Sequence, residues 1–164
     1  MKTILALSKI NFDKMMADNA IDDSNVESQD VMFISICSPK DDNQFYISTL
    51  SKESYFKSEH SNVKIMYFGD YGEDESENNP CAFTEEQAQE LYKFIIANKH
   101  KSMSIIHCEG GYNRSFSVGL FINDFITKGS YEEYKKKNPQ GIGNAYVYKL
   151  LKKQYCLDHH IPYL

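Results

Sequence analysis

An α/β fold, with a mainly parallel central sheet flanked by helices, is what the sequence predicts, and two observations carry that prediction. Short apolar runs of strand length alternate along the chain with segments of helical periodicity, the pattern that successive βαβ units leave in a sequence. Size and composition agree with it. With 164 residues, 41% hydrophobic and 25% charged, and only Gly 8 and Pro 4, the chain has the make-up of a single globular domain over 1–164, and a disordered or collagen-like chain is excluded.

Residues 3–7 and Val31–Cys37 are apolar runs of strand length, the second stopped by the turn formers Ser38-Pro39-Lys40-Asp41-Asp42. Between them Phe12, Met15 and Met16 share one helical face, and a polar stretch reaches to Asp30. Residues 41–62 carry no decisive pattern; Phe45-Tyr46-Ile47 suits a short strand or a packed loop. Residues 63–68 read as a further strand that runs into Gly69-Asp70-Tyr71-Gly72 and an acidic segment, 73–77, expected as a solvated loop. Thr84-Glu85-Glu86-Gln87 is a capping box. Ala88, Leu91, Tyr92 and Ile95 follow at helical spacing, so a helix over 85–98 lays one face on the sheet. Residues 102–107 form a strand with an apolar end, and Val118, Phe121, Ile122 and Phe125 mark a helix that Lys128-Gly129 closes. Two more helices are expected, from Tyr131 and over 145–155, parted by Asn138-Pro139-Gln140-Gly141.

A net charge of −5 with lysines scattered along the chain supplies no basic stripe, so neither a nucleic-acid partner nor an anionic membrane is expected. The first apolar run is broken by Ser8 and Lys9, too short for the core of a signal peptide, and no later run approaches a membrane span. Cys37, Cys81, Cys108 and Cys156 lie far apart, with no Cys-x-x-Cys pair and no histidine spacing that closes a zinc site. A reducing, cytoplasmic setting follows, without a disulfide framework or a metal.

In a parallel α/β sheet the ligand site lies beyond the C-terminal ends of the strands. At the end of the strand over 102–107 the chain reads His107-Cys108-Glu109-Gly110-Gly111-Tyr112-Asn113-Arg114-Ser115, and a predicted helix follows at once. Successive amides of so short a loop, from Glu109 through Asn113, can turn inward as a cradle for a tetrahedral dianion over the positive end of the helix. Gly110 and Gly111 remove side-chain obstruction from the bend. Arg114 stands where its planar fork can hold two oxygens of a phosphate. The same positive field suits a nucleophilic sulfur on Cys108, and Ser115 can donate to that sulfur when it leaves.

The order strand, His-Cys-x5-Arg-Ser, helix resembles the protein tyrosine phosphatase superfamily, and the short chain resembles its small dual-specificity-like branch. The resemblance covers residues 60–155, with the loop as its specific part: Gly111 falls on the family's glycine, Ser115 on its Ser/Thr and His107 on its preceding histidine. It implies a phosphorylated protein or peptide as substrate, phosphotyrosine with phosphoserine or phosphothreonine besides. It also implies a cysteinyl-phosphate intermediate on Cys108 and no metal or organic cofactor. An upstream aspartate serves the family as general acid. Asp70 and Asp74 lie 38 and 34 positions before Cys108; Asp70 is the choice, because the strand directly before it sets its position. The family's Trp-Pro-Asp version is absent, since the chain has no Trp. Asn144 resembles an asparagine that small phosphatases hold near the site.

Plainer readings stand beside these. Tyr112 either stacks on a substrate ring or packs the loop; Glu109 is expected to face out with a solvated carboxylate; His107 is expected to orient the loop by hydrogen bonding. The acidic run lacks the ligand order of an EF-hand, Cys37 and Cys81 read as inert thiols before resolving ones, and His159-His160 and Lys135-Lys136-Lys137 read as surface. Two other classes share the motif: a phosphate-binding module without turnover, and a Cys-x5-Arg arsenate reductase or sulfurtransferase.

Overall fold

The computed structural model describes residues 2–42 and 53–164; the undecided Phe45-Tyr46-Ile47 lies outside them. Four strands, β1 Thr3–Ser8, β2 Val31–Cys37, β3 Val63–Tyr67 and β4 Met103–Cys108, pair in parallel in the order β1-β4-β2-β3. Among the described residues six α-helices accompany them: α1 Lys9–Asp18, α2 Glu73–Ser76, α3 Glu85–Ala97, α4 Arg114–Phe121, α5 Tyr131–Lys137 and α6 Ala145–Asp158. The mixed α/β class with a parallel sheet flanked by helices is as the periodicity predicts.

The two-residue period of the strands divides the core into two layers. Met32, Ile34 and Ile36 of β2 share one face with Ile106 and Cys108 of β4, and Leu91, Ile95, Val118, Phe121, Val147 and Leu151 of α3, α4 and α6 cover it. Phe33 and Ile105 point the other way, where Phe12 and Met16 of α1 meet Val26 and Phe56. The chain therefore leaves β1 to a helix on one face and leaves the adjacent β4 to a helix on the other. Such a switch point opens a crevice at the strand ends, and Cys108 ends β4 on that side of the sheet.

One expectation needs correction. The acidic segment forms one helical turn instead of a loop: the Glu75 carboxylate accepts the Gly72 amide at 3.0 Å and the Ser76 hydroxyl donates to the Gly72 carbonyl at 2.6 Å. Acidic residues at a first helical turn also face its positive end. At the end of α4 the helix widens into a π turn, Ile122–Thr127, and Lys128-Gly129 closes it as expected, with Lys128 taking the left-handed φ of 51°. Gly129 is required for closeness instead, because a Cβ there would come within 2.3 Å of Asn123 Oδ1 while its amide bonds the Asn123 carbonyl at 2.8 Å.

Side chains occupy both edges of the sheet. Along β1, Asn138 Oδ1 accepts the Ala6 amide at 2.6 Å and its Nδ2 donates to the Ile4 carbonyl at 3.0 Å, as a neighbouring strand would. Along β3, Glu59 accepts the Ile65 amide at 3.1 Å and Gln87 donates to the Tyr67 carbonyl at 2.9 Å.

Candidate active site

Cys108 ends β4 and is 2% exposed. Its sulfur lies 3.2 Å from Ser115 Oγ, on the first turn of α4, and accepts the Gly111 amide at 3.3 Å. Gly111 takes φ 78°, and a Cβ there would stand 2.5 Å from the Ser8 backbone nitrogen, so only glycine lets the loop close on the end of β1. Backbone bonds hold the loop from both sides. The Lys9 amide reaches the Glu109 carbonyl at 3.1 Å, and the amides of Ile142 and Gly143 reach the Tyr112 carbonyl at 2.8 and 3.1 Å. The amides of Glu109, Gly110, Tyr112, Asn113 and Ser115 donate to no acceptor among the described residues. An amide donor on a sulfur beside a helix N-terminus suits an anion. Among the described residues no three His, Cys, Asp or Glu side chains converge in a way that could hold a metal ion.

Arg114 is the first residue of α4 and is 3% exposed. Its Nη1 donates to the Phe68 carbonyl at 2.7 Å and to Ser38 Oγ at 3.3 Å. The Ser38 hydroxyl in turn donates to Glu109 Oε2 at 3.2 Å. Glu109 is thus only partly exposed and bonded inward, which corrects the expectation of a solvated carboxylate. The side chain folds back because the loop runs beside the end of β2, where Ser38 offers it a proton.

Asp70 follows the end of β3 and is brought to the loop. Its Oδ2 accepts from Asn113 Nδ2 at 2.6 Å and its Oδ1 from Asn144 Nδ2 at 2.8 Å. Asn144 does two further things: its Nδ2 bonds the Tyr71 carbonyl at 3.0 Å, and its Oδ1 caps α6 by accepting the amides of Tyr146 and Val147 at 3.0 and 3.1 Å. The Asp70 segment is fastened at its other points too, by the Gly69 amide on the Cys81 carbonyl at 2.6 Å and by the Tyr71 hydroxyl on Asp42. Burial, with the Asp42 carboxylate beside it, pushes the Tyr71 phenol up to about 12. Asp74 sits exposed on α2.

His107 does not orient the loop by its ring. Its place one residue before Cys108 turns it to the opposite face of the sheet, where the imidazole lies 4.3 Å from the Phe12 ring and neither ring nitrogen has a hydrogen-bond partner among the described residues. Burial pushes the imidazole down to about 3, with the positive charges of Lys9 and Arg114 adding to it and the Cys108 backbone opposing. Burial likewise pushes the Cys37 thiol up to about 11, which fits its reading as inert. Tyr112 is 46% exposed and, with Gly110 and Gly111, borders a groove of about 290 Å³ toward Ser8, Asn11 and Gln140.

Three participants escaped the sequence: Ser38, the Phe68 carbonyl, and the side chain of Asn113. Ser38 had a signal, since it is the first residue past a buried parallel strand, where ligand sites collect. The other two have none that a spacing rule detects.

No model of a known protein family matches the chain, and no curated protein matches it in sequence. Among solved structures it is similar to the crystal structure of Tk-PTP in the active form, with 15% identity over 94% of this chain and 92% of that one and a TM-score of 0.47. Among the described residues no helix is long and apolar enough to cross a membrane.

Proposed function

We propose that the chain is a cysteine-dependent phosphatase that hydrolyses phosphomonoesters on proteins, phosphotyrosine foremost and phosphoserine or phosphothreonine besides, in a reducing, cytoplasmic setting and without a metal or organic cofactor. The observation that carries this reading is the Cys108 sulfur within 3.2 Å of Ser115 Oγ and 3.3 Å of the Gly111 amide, at the start of α4. Cys108 attacks phosphorus as the thiolate, a P–S bond forms, and the P–O bond to the leaving group breaks as Asp70 gives that oxygen its proton. The loop amides and Arg114 hold the spread charge of the transition state. Water then attacks phosphorus, Asp70 takes up its proton, and the sulfur departs as a thiolate stabilised by the Ser115 hydroxyl.

Purified protein is expected to hydrolyse an aryl phosphate in the presence of a chelator and to be inhibited by vanadate, while Cys108→Ser loses turnover by a factor on the order of 10³ or more. Full activity in Cys108→Ser would overturn the reading. A phosphopeptide panel bound to Cys108→Ser separates the substrate classes, with phosphotyrosine peptides expected to bind tightest.

A further inference from the structure

Ser38 lies one residue beyond β2, is 4% exposed, and stands between two charged side chains of the loop. Its Oγ accepts from Arg114 Nη1 at 3.3 Å and donates to Glu109 Oε2 at 3.2 Å. A hydroxyl has one proton, so these bonds fix its direction, proton to the carboxylate and lone pair to the guanidinium. Donation to an anion makes the same oxygen a better acceptor, and the two bonds strengthen each other. The Phe68 carbonyl takes the same guanidinium nitrogen at 2.7 Å, so groups just past the ends of β2 and β3 grip one atom of the arginine. Arginine has a long flexible stem, and an anion that must order it pays for that in affinity.

We infer that Ser38 is a positioning residue for Arg114, and that the Glu109 carboxylate orients the Ser38 hydroxyl for that task. The residue directly after Cys108 thus acts on Arg114 at the far end of the loop, through the residue just past the neighbouring strand. Glu109 keeps this role whatever its distance from substrate, and Ser38 touches no reacting atom. The inference rests on the phosphatase reading.

The experiment measures tungstate binding by calorimetry in a Cys108→Ser background, beside kcat and KM for an aryl phosphate in the otherwise native chain. Ser38→Ala is expected to weaken tungstate about tenfold, the size of one lost hydrogen bond to a charged group, and Ser38→Thr, which keeps the hydroxyl, to recover most of it. Glu109→Gln is expected to weaken binding about threefold, and the Ser38→Ala, Glu109→Gln pair to bind no worse than Ser38→Ala alone. Unchanged binding in Ser38→Ala, no recovery in Ser38→Thr, or effects that multiply in the pair would overturn the inference while leaving the phosphatase reading intact. If the chain with native loop residues neither binds tungstate nor turns over aryl phosphate, it is the phosphatase reading that fails.

Discussion

Asp70 accepts from two side-chain amides, one in the loop after Cys108 and one at the start of α6. Side chains three segments apart in sequence thereby share one carboxyl group, and its distance from Cys108 is set by all of them. Asp74, 4 positions later on the exposed turn α2, has no comparable anchoring. Asp70→Asn is therefore expected to lower kcat by about 10² to 10³ for an ester with a poor leaving group and by much less for a good one, while Asp74→Asn stays near the native value; the reverse order in steady-state kinetics would reassign the acid. That Asp70 follows closely on a strand was legible, because the apolar run over 63–68 is visible in the sequence. That Asn113 reaches Asp70 was not, since it depends on a contact between residues 43 positions apart that local pattern does not encode. Glu109 failed for a related reason. Its side chain takes the direction dictated by Ser38 on another strand, and a loop residue read alone defaults to solvent.

Helix α6 begins on the same asparagine that holds Asp70, the proposed acid, so in the proposed reaction a cap and a catalytic support would coincide. Asn144→Ala removes both, and is expected to cost about 1 kcal/mol of stability by urea unfolding together with a fall in kcat. Asn144→Ser, which can cap but has no amide to give Asp70, is expected to recover the stability and not the kcat; recovery of both would mean that Asn144 matters to Asp70 only through α6. At this scale the elements themselves were legible wherever apolar period and caps agree, as in α3, whose Thr84 and Gln87 bond each other's backbone amides at 3.1 Å in the pattern their spacing announces. The exit of α4 at Lys128-Gly129 was legible, although Lys-Gly at a helix end normally puts the left-handed residue on glycine. Here the π turn shifts the geometry by a residue, and lysine takes the strained position so that glycine can admit Asn123.

For the molecule as a whole, the parallel sheet flanked by helices was legible, because it depends on patterns that repeat along the chain. The burial of His107 was not, since its neighbour Cys108 faces the other layer and only the three-dimensional sheet tells the two faces apart. That burial links stability to pH. The imidazole titrates at about 3 when folded, against 6.5 for the free group; between those values the unfolded chain binds a proton that the folded chain refuses. Stability therefore falls as pH drops from 6.5 toward 3, by at most about 1.4 kcal/mol per pH unit from this group. Urea unfolding at pH 7 and pH 4.5 is expected to show a smaller acid loss for His107→Gln than for the native chain, and equal losses would contradict a buried neutral ring. The side chains along the sheet edges have a consequence of another kind. A bare parallel edge presents a row of amides and carbonyls that a strand from a second molecule can join, the first step toward β-aggregation. Asn138 interrupts that row on β1, and Glu59 and Gln87 interrupt it on β3, so among the described residues neither outer strand offers an incoming strand a continuous template.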